Sequence, residues 1–211
     1  MAGRGAKSLS DRAVFAAIAL WLVSVATGFG LLWKYKSTPG APPLALETRW
    51  PAASRIERDP QHATLLMFVH PRCPCTRASV AELSRLMGRL SGQLAARVVF
   101  VRPQGVEDDW ERGELWARAA SIPGAAAVLD KGGAEAERFD ARTSGQVLLY
   151  DPAGRLVFSG GITPSRGHEG DSFGQRRIVS LIETGSADRA DSPVFGCALR
   201  ASLQSANKEE R

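Results

Sequence analysis

Ala63-Thr-Leu-Leu-Met-Phe-Val-His-Pro-Arg-Cys-Pro-Cys-Thr-Arg77 is the stretch from which the rest of this 211-residue chain is read. Ala63 to Val69 is apolar apart from Thr64, without the alternation of a half-exposed strand, and suits a central strand buried on both faces. Cys73 and Cys75 follow directly. Thr76 is the expected cap of a helix in which Val80, Leu83, Met87 and Leu90 recur at helical spacing, with Arg77, Glu82, Ser84, Arg85 and Arg89 on its outer face. Cysteines that only pack need neither a partner nor a helix terminus. A helix N-terminus supplies partial positive charge and free amides that lower a thiol pKa, and Arg72 and Arg77 add charge nearby. Pro74 fixes a dihedral between the two thiols. A disulfide closed across one residue would be a small strained ring, and strain makes it easier to reduce.

Downstream, Arg97 to Val101 reads as a second buried strand, and Asp108 to Ala120 as a helix opened by Asp108 and Asp109 and closed before Pro123. Trp110 and Trp116 fit its core-facing side. Ala125 to Leu129 is open between a short strand and a loop. Gln146 to Tyr150, the turn Asp151 to Gly154, and Arg155 to Phe158 read as a β-hairpin. A last helix over 174–184 places Ile178, Leu181 and Ile182 on one face. The order βαβα then ββα predicts one layered α/β domain with a central mixed sheet.

Upstream, no charge interrupts Ala13 to Trp33, a length of about 30 Å as a helix and enough to cross a bilayer. Arg4, Lys7 and Arg12 precede it and Lys34 and Lys36 follow, a slight bias toward a cytoplasmic N-terminus. The rivals are a cleaved signal peptide, which the length and the lack of a small-x-small site disfavour, and a buried soluble helix. The chain thus divides into a cytoplasmic segment 1–12, a transmembrane anchor 13–33, a linker 34–56, a domain 57–200 and a polar tail 201–211. Pro39, Pro42, Pro43 and Pro51 make the linker stiff and extended. The net charge of +5 is spread among acids throughout the domain, the pattern of a solvated surface and not of a nucleic-acid groove.

Cys197, in Pro193-Val-Phe-Gly-Cys197, makes the thiol count odd and is open between a third redox partner, a metal ligand and packing. His70 can stabilise a thiolate, accept a proton, or simply satisfy a loop. His168 is a weaker candidate in a glycine-rich segment, and His62 a surface residue.

Strand, His70-Pro-Arg-Cys-Pro-Cys-Thr-Arg77, then helix resembles the thioredoxin fold, with Cys-x-Cys for Cys-x-x-Cys. Phe68 to Ser79, Thr143-Ser-Gly-Gln146, Ser159-Gly-Gly-Ile-Thr163, Arg166-Gly-His168 and Phe195-Gly-Cys197 together resemble the RedB-type thioredoxin-like proteins of bacteria, across the whole soluble domain. The resemblance implies an envelope redox role, with Cys73 as exposed nucleophile and Cys75 as resolving thiol. It also implies a bacterial inner-membrane protein, single-pass, with its domain in the periplasm. Gly145 stands where thioredoxins carry a cis-proline that clamps substrate backbone and discourages metal binding.

Two functions follow as expectations. One is thiol–disulfide exchange with protein thiols or disulfides of the envelope, in which Cys73 attacks and Cys75 or Cys197 resolves, with no cofactor required. The other is a Cu(I)-delivery module using Cys73, Cys75 and either Cys197 or His70. A zinc site lacks a second close Cys or His pair, and no Cys-x-x-Cys-His haem signature occurs. Oligomeric state is left open.

Overall fold

The computed structural model describes residues 4–199, in two units that divide between Thr38 and Pro39. The polar tail 201–211 lies outside the described residues. The first unit is helix α1, Arg4–Ser37, which contains the expected anchor; its stretch Asp11–Ser37 is long and apolar enough to cross a membrane. Phe15 and Trp33 are 72% and 77% exposed, so this helix buries its apolar side chains in no protein core.

The second unit is built on a five-stranded sheet. Its strands are β1 (Ala63–Val69), β2 (Leu94–Arg102), β3 (Ala125–Lys131), β4 (Gln146–Tyr150) and β5 (Leu156–Gly160), in the order β3-β2-β1-β4-β5. β1, β2 and β3 run parallel, while β4 and β5 are antiparallel additions. Helices α2 (Pro74–Arg89), α3 (Glu114–Ala120), α4 (Ala134–Arg138) and α5 (Phe173–Thr184) complete the domain. This is a thioredoxin-like fold, with the cysteine motif between the central strand and its following helix.

β1 is buried along its whole length because both faces are covered, which explains its unbroken apolar run. Leu65, Met67 and Val69 face a core with Val80, Leu83 and Ile178, from α2 and α5. Leu66 and Phe68 face a second core with Phe139, Tyr150 and Leu199.

That second face corrects the expected linker. Among the described residues, the five-residue α4 and Leu199 cover part of this face, and apolar residues of the stretch 39–58 fill the rest as a strap. Backbone pairing fastens the strap: Trp50 N donates to Gly154 O and Leu156 N to Thr48 O. The Asp140 carboxylate accepts from the amides of Leu44 and Ala45. Trp50 meets Phe139 and Tyr150 edge-on at 5.3 and 5.1 Å, and Ile56 is 5% exposed. Pro51 opens a turn closed by the Ser54 amide, and the apolar residues of the segment lay it on the sheet.

Other expectations shift. The helix expected over 108–120 is only Glu114–Ala120, because residues 107–113 turn and Asp109 takes a left-handed φ of 70° that breaks helical continuity. Trp116 packs on Phe100 from this helix, whereas Trp110 belongs to the preceding turns. Residues 125–131 form an edge strand. Glu82, expected outside, is buried: its carboxylate accepts from the Gly170 amide, the Gln175 side chain and Arg85, tying α2 to the approach of α5.

Truncating Trp50→Ala is expected to destabilise the domain by about 2 kcal/mol, since a half-buried indole and two ring contacts are lost. Urea unfolding of the full chain in detergent measures this; a free linker would give no change.

Candidate functional site

The site starts where β1 ends. Cys73 itself is the N-cap of α2, in an extended backbone conformation (φ −81°, ψ 121°), and Pro74 takes the first turn, where its missing N–H is no loss. Thr76 is therefore not the cap expected from the sequence. It lies inside the first turn, its amide donating to Cys73 O at 3.0 Å.

The Thr76 hydroxyl serves a different contact. It donates to His70 O at 3.1 Å and lies 2.9 Å from the Ser144 hydroxyl, which accepts from His70 N at 2.9 Å. Ser144 belongs to the loop entering β4, so this closed ring of hydrogen bonds holds that loop against the cysteine turn. Next to it, Gly145 sits at φ +91°, donates its amide to Phe68 O at 2.8 Å, and has room for no Cβ, which would meet Ser79 Oγ at 2.8 Å.

On its other side the same loop holds the C-terminal segment. Ser144 N donates to Cys197 O at 2.8 Å, Leu199 N to Arg142 O at 2.8 Å, and Thr143 faces Ala198 in an antiparallel bridge. Cys197, distant in sequence, is thereby delivered to the motif. Its Sγ lies 3.2 Å from Cys73 Sγ, and the three sulfurs of Cys73, Cys75 and Cys197 all fall within 4.8 Å of one another as free thiols.

The three thiols differ electrostatically. Burial pushes Cys73 up, but hydrogen bonds from the Cys197 side chain and from the Cys197 and Cys75 amides outweigh it, and its pKa lies below the ordinary thiol value. Burial, followed by the charge of Cys73 and the hydrogen bond to it, pushes Cys75 up. The same causes raise Cys197 further, burial first, then the hydrogen bond to Cys73 and the charges of Cys73 and Cys75. Of the three, Cys73 is therefore the thiol whose ionisation is favoured, with Cys197 donating to it. The helix terminus therefore favours one thiolate and not two, since Cys75 is held up by its burial first and then by the charge of Cys73.

Arg166 is the cation that acts on Cys75 and Cys197, and it is anchored by donation to Gly196 O. Arg72 and Arg77, which the sequence offered for this purpose, are engaged elsewhere: Arg72 lies 4.6 Å over the Trp110 ring, and Arg77 pairs with Glu114 at 3.3 Å. His70 stacks edge-on against Trp110 at 5.4 Å, and its Nδ1 accepts from Arg72 N at 3.3 Å. Burial and then the Arg72 charge depress its pKa. Its ring is not in the sulfur cluster. His168 Nδ1 donates to Arg166 O, 2.8 Å away, inside its own turn, and His62 pairs with Asp59 on the surface.

Cys73, expected to be exposed, is only 4% accessible, and Cys75 9%. A groove of about 760 Å³ reaches Cys73, walled by Arg72, Pro74 and Arg77 on one side and by Trp110, Glu111 and Glu114 on the other. Ser144, Trp110 and Arg166 were not singled out as site residues from sequence. The signals were slight: a serine before a left-handed glycine, a tryptophan among acids, an arginine among glycines.

No family model matches the chain, and no curated protein does. Among solved structures, a hypothetical protein from Sinorhizobium meliloti 1021 superposes with a TM-score of 0.58 at 21% identity, over 77% of this chain and 98% of its own. An uncharacterized conserved protein from Geobacillus kaustophilus gives 0.54 at 19% identity, over 66% and 77%. A secreted Mycobacterium tuberculosis disulfide oxidoreductase, homologous to E. coli DsbE, gives 0.41 at 13% identity, over 57% and 80%. The first two likenesses establish a shared fold, and none of the three carries anything about chemistry.

Two outcomes are expected. Cys197→Ala removes the donor that favours the Cys73 thiolate, so the midpoint of Cys73 alkylation moves to higher pH and its rate at neutral pH falls, as followed by iodoacetamide labelling and mass spectrometry. Ser144→Ala opens the hydrogen-bonded ring and lowers stability by about 2 kcal/mol, measured by urea unfolding.

Proposed function

We propose that this chain is a membrane-anchored thiol–disulfide oxidoreductase of the RedB type, held in the bacterial inner membrane by residues 13–33 with its thioredoxin-like domain in the periplasm. The observation that carries the redox reading is the 3.2 Å approach of Cys197 Sγ to Cys73 Sγ, joined to the downward shift of Cys73. The apolar helix supports the anchor, and the slight excess of basic residues before it supports the orientation.

In the reductive direction the Cys73 thiolate attacks one sulfur of a substrate disulfide, forming a mixed disulfide and releasing the other sulfur as a thiolate. Cys197 then attacks Cys73 Sγ. Its proton goes to the departing substrate thiolate, a Cys73–Cys197 disulfide forms, and two electrons have passed from the protein to the substrate. Oxidation of a substrate dithiol runs these steps in reverse. A bond of about 2.05 Å requires only a small further approach of the two sulfurs. Cys75, raised by its neighbours, is the alternative resolving thiol, at the expense of a strained one-residue ring.

Three sulfurs within 4.8 Å also favour a second reading, a Cu(I) site of three thiolates, suited to a soft ion. The two readings part experimentally. For the redox reading, the full chain in detergent holds a disulfide of measurable potential, Cys73→Ser abolishes exchange with a peptide disulfide, and Cys197→Ser accumulates mixed disulfides on Cys73. An inert chain that binds one Cu(I) through the three thiols would replace the first reading with the second.

A further inference from the structure

Residues 195–198 lie along the loop before β4 in the manner of an extended peptide. The Cys197 carbonyl takes the Ser144 amide, the Leu199 amide reaches the Arg142 carbonyl, each at 2.8 Å, and Thr143 and Ala198 form the bridge between them. In that register the Cys197 sulfur faces the Cys73 sulfur. The contacts are made by main chain and by one thiol, and so are available to any extended polypeptide with a cysteine. A single steric condition applies. Gly196 lies so close that a Cβ would meet Ser144 O at 1.8 Å, so the residue before the cysteine must be glycine or the strand must stand off.

We propose that residues 195–198 are a built-in competitor for polypeptide substrates, seated on the edge formed by Arg142, Thr143 and Ser144, and that a substrate reaches Cys73 by displacing them. The inference rests on the thiol–disulfide reading and adds that the edge is self-occupied, with glycine before the cysteine as the condition for lying on it. Val194 and Leu199, 7% and 0% exposed, anchor the two ends, so the displaced span is short and remains tethered. Peptide and Cys197 then compete for one edge. While the peptide is attached to Cys73, Cys197 is held away; when the segment returns, its sulfur attacks Cys73 and the peptide leaves as a thiol, with the Cys197 proton. Resolution and product release become one event.

The full chain carrying Cys75→Ser and Cys197→Ser leaves Cys73 as the sole thiol. It is loaded with a Gly-Cys peptide as an activated aromatic mixed disulfide, a reagent that any accessible thiol accepts, and amide hydrogen exchange is compared with the unloaded chain. The expected result is that Leu199 exchange rises about tenfold while Ser144 stays protected by the peptide carbonyl. Unchanged protection at Leu199 with peptide attached overturns the proposal. In the chain that retains all three cysteines, Gly196→Ala pushes the segment off the edge and with it the Cys197 donor, so both disulfides report the lost donor while the rate with a peptide disulfide rises several-fold relative to that with a small symmetrical disulfide. Equal effects on the two disulfides overturn it as well; should that variant fail to fold, the exchange measurement decides alone. A chain that accepts the activated peptide with the expected exchange pattern, yet reacts with no ordinary disulfide, sinks the redox reading and leaves the docking edge standing.

Discussion

The hydroxyl of Ser144 accepts from the His70 amide and meets the Thr76 hydroxyl, while its own amide donates to Cys197. One residue, 1% exposed, therefore joins the turn after β1, the first turn of α2 and the C-terminal segment. These donors and acceptors are buried or half-buried, and an unmade hydrogen bond in a buried place costs about 1–3 kcal/mol. The three segments consequently hold one another in register. The short distance between Cys73 and Cys197 is a result of that register, because nothing in the cysteine side chains alone would bring together residues 124 positions apart.

Gly145 gives this arrangement its geometry. Its left-handed backbone turns the chain into β4 and returns its amide to Phe68, at the end of the central strand. The same turn leaves Arg142 to Ser144 with main-chain groups directed at residues 197–199. The docking edge and the thiol centre are thus two sides of one loop.

Electrostatics then separates thiols that share a composition. Their closeness disfavours more than one charge among the three, and the hydrogen bonds around Cys73 favour ionisation there. Arg166, fixed through the Gly196 carbonyl, moderates the rise of Cys75 and Cys197, which eases the later appearance of charge on a resolving sulfur. On the far face of the sheet the strap does what a long helix would otherwise do, closing a second core around Phe139 and Tyr150 with Trp50 and Ile56. That face supports β1 and β4, and so the loop that carries Ser144.

What could be read without a structure was whatever local pattern governs. An unbroken apolar run announced β1 to the residue, a hairpin signal announced β4 and β5, and helical spacing announced α2 and α5, because these depend on neighbours two to four positions apart. The cysteine motif and the odd third thiol were visible for the same reason. Tertiary contact alone decided the rest. The proline-rich stretch reads as a free linker until Trp50 finds a sheet face left open by a short α4; Glu82 reads as surface until Gly170 and Gln175 surround it; Trp110 reads as the core side of a helix until the chain turns there; Arg166 and Ser144 carry no periodic signal at all. Whether Cys197 joined the site depended on backbone pairing between 142–144 and 197–199, an interaction that no spacing in the sequence encodes, since main-chain hydrogen bonds are available to every residue and only the completed fold selects which of them meet.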